Sequence, residues 1–290
     1  MGILGLGLIG GSLALDLSQL GYQVLGVSLQ TTTCALACQR GAVRVASTDW
    51  QLLAGADLIF VCVPLDQTVP SVARLAEFLP EGVVISDVAS VKADIVAHCS
   101  WPWFVGGHPM AGTAQQGMGA AVQGLFRDRP YVLTPTVMTD PEALISVQMA
   151  VQDLGAKLVL TDPVAHDRAV ALVSHAPVFV SAALLLAGVQ ADTELLGLAR
   201  QLASTGFADT TRIGGGNPEL GLLMARHNRA QVLVSLAAYQ TQLQKLHQAI
   251  TEEDWAQVVQ ALQTSQRVRG EFSPLPPAPP PYPAGPRRAE

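Results

Sequence analysis

No lysine or arginine occurs before Arg40, and the 290 residues hold only 17 basic side chains against 23 acidic ones. The first absence excludes a secretory signal, which opens with a basic segment. The second excludes a nucleic-acid partner, because a polyanion needs a basic face and the net charge here is −6. Charged residues are scarce at 14% while apolar ones reach 49%, so the chain reads as a well-buried globular protein of about two domains. Cysteine is also rare. Cys34, Cys38, Cys62 and Cys99 match no zinc spacing, so no metal is implied, and without an export signal reduced thiols in a cytoplasm are expected. No continuous apolar run reaches the ~20 residues that span a bilayer. The longest in the second half, Ala176–Val189, is interrupted by Ser181 and reads as a buried helix, not a membrane anchor.

What the chain does have begins at once. Gly5, Gly7 and Gly10 stand in G-x-G-x-x-G register after a short apolar run, and Leu13, Ala14, Leu15 and Leu17 then begin a helical pattern. In that strand-to-helix setting the motif reads as a dinucleotide site. Gly5 permits the tight turn, Gly7 lets a pyrophosphate approach the backbone, and Gly10 lets helix pack on strand. The N–H groups of the helix N-terminus, at Leu8 and Ile9, face the phosphates. With only Met1 to Leu4 for the first strand, a translation start slightly upstream is expected.

The first half continues with strand-like runs at Val24–Val27, Asp57–Val63 (ending at Pro64), Val83–Asp87, Phe104–Gly106, Tyr131–Thr134 and Lys157–Leu160. Apolar strands alternating with helices predict an α/β fold with a parallel sheet covered on both faces. Val63 and Pro64, at the carboxyl end of one strand, are expected beside the nucleotide. After Asp162-Pro163 helical periodicity takes over. Val232, Leu236, Tyr239, Leu243, Leu246 and Ile250 recur with 4-3-4-3-4 spacing, a seam suited to bundle packing or a subunit interface. The expected division is a dinucleotide-binding domain at 1–162, a helical domain at 163–270 and a Pro-rich disordered tail at 271–290.

Cofactor choice turns on the end of the second strand. An NAD site usually places Asp or Glu about 20 residues past the glycines to bind the ribose 2′-hydroxyl. Ser28 occupies that place here, followed by Thr31, Thr32 and Thr33. Small hydroxyls accept a 2′-phosphate that a carboxylate would repel, so NADP is expected, even though the nearest arginine in sequence is Arg40.

Three polar clusters carry candidate chemistry. They are Asp87-Val-Ala-Ser90-Val-Lys92, Gly106-Gly107-His108-Pro109, and Asp209-Thr-Thr-Arg212-Ile-Gly214. His108 lies between glycine and proline, a loop setting from which an imidazole can abstract a proton at neutral pH. Ser90 is placed to hold one of its ring nitrogens. Arg212 suits a bidentate grip on a carboxylate; the ordinary alternative is a surface pair with Asp209.

Together these motifs, with Ser174-His175-Ala-Pro177, resemble the prephenate/arogenate dehydrogenase family, in the family's order over about residues 1–270. The resemblance implies a Rossmann-type domain followed by an all-helical dimerisation domain, and hence a homodimer. It implies oxidative decarboxylation of a cyclohexadienol to a phenol in tyrosine biosynthesis. Under it His108 is the base, Ser90 assists it, Arg212 binds a substrate carboxylate, His175 borders the substrate pocket and His166 is structural. Val178 stands where prephenate-using relatives often carry a second histidine, which favours arogenate, whereas Asn217 in place of an acid pulls toward prephenate. With no mutase-sized extension, a stand-alone dehydrogenase is expected. Two other readings make different demands on the sequence. A β-hydroxyacid dehydrogenase would need a catalytic lysine in the helical half, where Lys245 stands alone without a supporting motif. A non-catalytic NADPH sensor would not need Ser90, His108 and Arg212 together.

Overall fold

The computed structural model describes residues 1–113, 115–190 and 192–272. One compact unit runs from Met1 to Ser235 and a second begins at Leu236. The first is built on an eight-stranded sheet in the order β3-β2-β1-β4-β5-β6-β7-β8. Its strands are β1 (Gly2–Leu4), β2 (Leu25–Val27), β3 (Val45–Ser47), β4 (Leu58–Val61), β5 (Val84–Asp87), β6 (Phe104–Pro109), β7 (Pro130–Thr134) and β8 (Lys157–Leu160). The helices between them are α1 (Leu8–Gln19), α2 (Thr31–Gln39), α3 (Thr68–Ala76), α4 (Ala93–His98) and α5 (Pro141–Asp153).

Strands β1 to β6 run parallel, with the order reversing on either side of β1. That reversal leaves a crevice at the carboxyl ends of β1 and β4, where ligands of open α/β sheets bind. The expected parallel sheet holds through β6; at its far edge β7 pairs antiparallel with β6, and β8 runs parallel to β7. The core lies on both faces. Ile3, Phe60 and Tyr131 anchor one cluster, and Ile59, Ile85 and Leu75 the other. Strand-length apolar runs buried on both sides fit this arrangement.

Past β8 all the described elements are helical: α6 (Pro163–Val170), α7 (Ala176–Gly188), α8 (Thr193–Leu202), α9 (Thr205–Thr211), α10 (Pro218–His227), α11 (Arg229–Thr251) and α12 (Trp255–Phe272). Asp162 starts α6, its carboxylate accepting the N–H groups of Val164 and Ala165 at 3.0 and 2.9 Å, with Pro163 in the first turn. A wide π turn, Ala171–His175, joins α6 to α7. The resulting helix, Pro163–Gly188, is by length and composition apolar enough to cross a membrane. Its first turns, however, are hydrogen-bonded to the start of α4 through Asp167, which accepts the N–H groups of Lys92 and Ala93.

One further expectation changes. α7 is not a buried helix within the single chain: only Ala176 and Ser181 are buried, and Leu186 is 63% exposed. The first compact unit includes α6, which is stitched to the residues following β5. In the second unit α12 continues to Phe272, so the first two residues of the expected tail are helical. The prolines beyond lie outside the described residues.

Candidate active site

The turn from β1 into α1 shows why its glycines are required. Gly5 holds φ +97°, and a Cβ there would strike the Cys62 carbonyl of β4's extension. At Gly10 a Cβ would strike the carbonyl of Gly5, and at Gly11 it would meet Met118 Sδ at 2.7 Å. Gly7 instead faces open space. The first intrahelical bond is donated by Gly11 to Gly7, which leaves the N–H groups of Leu8, Ile9 and Gly10 outside the helical ladder. An open backbone approach beside free N–H donors fits a pyrophosphate.

A cleft of about 610 Å³ opens there. Of the expected nucleotide contacts, Gly5, Gly7, Ser28, Val63 and Pro64 line it, whereas Leu8, Ile9, Gly10 and Thr31 do not. Thr33 takes the place expected of Thr31. The arginine nearest to Ser28 in sequence is not free for the nucleotide. Arg40 is committed to main chain, donating to the carbonyls of Met118 and, at 2.7 Å, Ala121. Arg74 of α3 lines the cleft instead.

Beyond the ends of β5 and β6 lies a buried polar cluster. Asp87 and Lys92 are both fully buried and paired. Lys92 Nζ also donates to the Gly107 carbonyl at 2.7 Å, and Asp87 accepts the N–H of Gly107 at 3.0 Å. A Cβ at Gly107 would sit 2.7 Å from the Asp87 carbonyl oxygen, so the glycine permits the approach that places the next residue. That residue is His108. It lies within strand β6, opposite Val132 of β7, not in a loop as expected from its glycine and proline neighbours.

His108 is 8% exposed, and its Nδ1 lies 2.8 Å from Nε2 of His166. His166 Nδ1 lies 2.8 Å from Asp167 Oδ1. Asp167 in turn accepts the N–H groups of Lys92 and Ala93 at 2.7 and 2.9 Å. Asn228 donates to the Asp167 carbonyl at 2.8 Å and approaches His175 Nδ1 at 3.2 Å. Because a carbonyl only accepts, that Asn228 nitrogen is a donor, and His175 Nδ1 must accept from it. The hydrogen of neutral His175 is then on Nε2, a buried atom without a partner among the described residues.

Burial holds His108 well below the usual imidazole range, reinforced by His166, Lys92 and His175. Burial likewise draws His175 down to about 4 against the opposing pull of Asp167. It also lowers Lys92, with Asp87 opposing. Two neutral imidazoles beside an ammonium form a site able to take up a proton briefly and give it back.

The other expected residues are placed as follows. The Ser90 side chain is half-buried and makes no hydrogen bond to His108, whose Nδ1 is held by His166 instead. Arg212 is exposed at the end of α9 and forms no ion pair with Asp209 among the described residues, so the ordinary surface-pair reading finds no support. His166, read from sequence as structural, is in direct contact with His108. Asp167 and Asn228 carried no sequence motif, and Lys92 was only the last residue of one.

Residues 13–160 match the nucleotide-binding domain of prephenate dehydrogenase, and residues 162–264 match its dimerization domain. The chain belongs to the prephenate dehydrogenase family. Members similar to it include prephenate dehydrogenase of Bacillus subtilis, 28% identical over 91% of this chain and 74% of that protein. Arogenate dehydrogenase of Synechocystis is 45% identical with a TM-score of 0.83, over 94% of this chain and 99% of that one. Prephenate dehydrogenase from A. aeolicus, solved with hydroxyphenyl propionate and NAD+, is 26% identical with a TM-score of 0.88, over 94% and 97%. The family gives the fold its function class: a dehydrogenase of aromatic amino-acid biosynthesis with a Rossmann-type domain followed by a helical dimerisation domain.

Proposed function

We propose that this chain converts arogenate to tyrosine by oxidative decarboxylation coupled to reduction of NADP. The observation that carries the reading is His108: buried, neutral and set at the carboxyl end of β6. His108 takes the proton from the ring hydroxyl. A hydride leaves the same ring carbon, CO2 leaves the opposite one, and the phenolate oxygen recovers the proton. The nicotinamide, when bound, supplies the hydride acceptor. Residues lining the crevice from Gly5 and Gly7 to Val63 and Pro64 would hold it. Arg212 grips a substrate carboxylate, and the unpartnered His175 Nε2–H supplies a buried donor toward substrate oxygen. Ser90, two residues before Lys92 in sequence, assists at the hydroxyl.

NADP is favoured because β2 ends in Ser28 without an acid, and Ser28, Thr33 and Arg74 line one cleft. Arogenate is favoured by Val178, which supplies no cation for a keto acid, and by similarity to the Synechocystis arogenate enzyme. Asn217 still pulls toward prephenate, because it puts no acid there for the ammonium of arogenate. Its side chain caps α10, accepting the Glu219 N–H at 2.9 Å, and so is occupied within its own helix. The exposed apolar residues of α7 and the seam of α11, where Ile250 is 54% exposed, support pairing with a second copy.

Initial rates with arogenate and prephenate, each with NADP and NAD, test the reading. The highest kcat/KM is expected for arogenate with NADP. His108→Asn should lower kcat by ~10²–10⁴-fold while cofactor affinity holds. A preference for prephenate would overturn the substrate assignment, and undiminished turnover would remove His108 from the chemistry.

A further inference from the structure

We propose that His166 and Asp167 act as a tautomer relay that leaves Nε2 of His108 bare and aimed at the substrate hydroxyl. Asp167 is the anchor and His166 the positioning residue. The proposal rests on His108 being the base and adds how that base is kept in its working form.

One line of hydrogen bonds runs from Asp167 through His166 to His108. A carboxylate only accepts, so His166 Nδ1, 2.8 Å from Asp167 Oδ1, carries the hydrogen. The anchor itself is fixed, because its two oxygens also receive the N–H groups of Lys92 and Ala93 at the start of α4. Asp167 is already engaged by these amides and by nearby Lys92, and the relay requires His166 in its neutral Nδ1–H form. Nε2 of His166 is then a lone pair, and 2.8 Å away His108 Nδ1 must donate to it. The one remaining ring nitrogen of His108, Nε2, has no hydrogen. A free imidazole in water prefers the opposite tautomer, with hydrogen on Nε2, which could not accept a proton there. The rings stand edge to face, 76° apart with centroids 5.1 Å apart, a geometry that suits an in-plane lone pair meeting an N–H.

The titratable groups facing His108 come from four elements: His166 and Asp167 on α6, Lys92 and Asp87 following and ending β5, and His175 on the π turn. When His108 takes the hydroxyl proton it becomes an imidazolium among two histidines and a lysine. The only carboxylate hydrogen-bonded along its own line is Asp167, reached through His166, so the relay also places the nearest compensating charge.

The test begins with unliganded full-length protein labelled with [15N]histidine. Two-bond 15N–1H correlation reads each neutral tautomer, and the His108 signals are assigned by their loss in His108→Asn. His108 is expected as Nδ1–H near neutral pH. His166→Leu should shift His108 toward Nε2–H and lower kcat by ~10- to 100-fold, with KM for substrate and cofactor within about twofold. His166→Gln, whose carbonyl can accept from Nδ1–H, should recover most of the rate. Wild-type His108 found as Nε2–H would overturn the relay, and that measurement stands even if His166→Leu fails to fold. So would a folded His166→Leu with wild-type kcat. Normal turnover by His108→Asn would sink the base and the relay together, whereas a wrong tautomer beside an inactive His108→Asn sinks the relay alone.

Discussion

The guanidinium carbon of Arg74 lies over the indole of Trp50, 4.2 Å from the ring centroid, and both residues line the nucleotide cleft with Ser28. Stacking on an aromatic face limits the rotamers of a long side chain while leaving its edge N–H groups free to grip an anion. Arg74→Ala should therefore weaken NADP binding by about tenfold and NAD binding by less than about twofold. Calorimetric titration with 2′,5′-ADP and with 5′-AMP separates the phosphate from the adenine. Equal losses for both nucleotides would mean that Arg74 stacks on the base and does not read the 2′-phosphate.

Arg212 has no ion-pair partner among the described residues, so its removal costs little internally. Arg212→Ala should raise KM for the substrate by an amount equivalent to ~1.5–3 kcal/mol, with kcat changed far less. Steady-state kinetics decides it: an unchanged KM with a lower melting temperature would assign Arg212 to stability.

The Lys92–Asp87 pair is fully buried, and breaking such a pair leaves an uncompensated charge in the interior. Lys92→Met should cost about 3–5 kcal/mol in urea unfolding, and adding Asp87→Asn should restore a good part of it. A loss below about 1 kcal/mol would show that the pair does not tie β5 to β6.

Acid should destabilise the fold in a defined window. His175 titrates near 4 in the folded chain against an ordinary value of 6.5, so between these values the unfolded chain binds more protons. Stability then falls as pH drops from about 6.5 to about 4 and is fully present above it. His108, lowered for the same reason, adds in the same direction. Urea midpoints across that range should slope less steeply in His175→Gln, and an identical slope would remove His175 from the acid response.

The strands that were long and apolar were legible in the sequence, and so was the glycine turn, because both signals are local. β3 was not: Val45–Ser47 is three residues with no alternating pattern. Nor was the reversal at β7, since strand direction is set by where the preceding connection returns and leaves no periodic mark. The site divides the same way. His108 stood out through its neighbours in sequence, yet its true partner, His166, lies 58 positions away, a distance over which sequence spacing carries no geometry. Arg74 was invisible for a related reason, because it reaches the cleft from α3 by packing on Trp50 and not through any motif near Ser28.

The wide turn at Ala171–His175 sets an angular phase. Nine residues separate His166 from His175, about two and a half turns of a regular α-helix, which would put the two imidazoles on opposite sides of the rod. Both are nevertheless buried, and Asn228 bridges Asp167 and His175. The under-wound stretch thus works like a vernier between two rigid scales, turning the later helix so that one interior receives histidines from both. Deleting a single residue from it would restore regular winding with the later helix in nearly the same phase, whereas regular winding with all five residues kept would rotate everything that follows by about 100°. The orientation of α7 and the composition of the site are therefore a single choice, made within five residues.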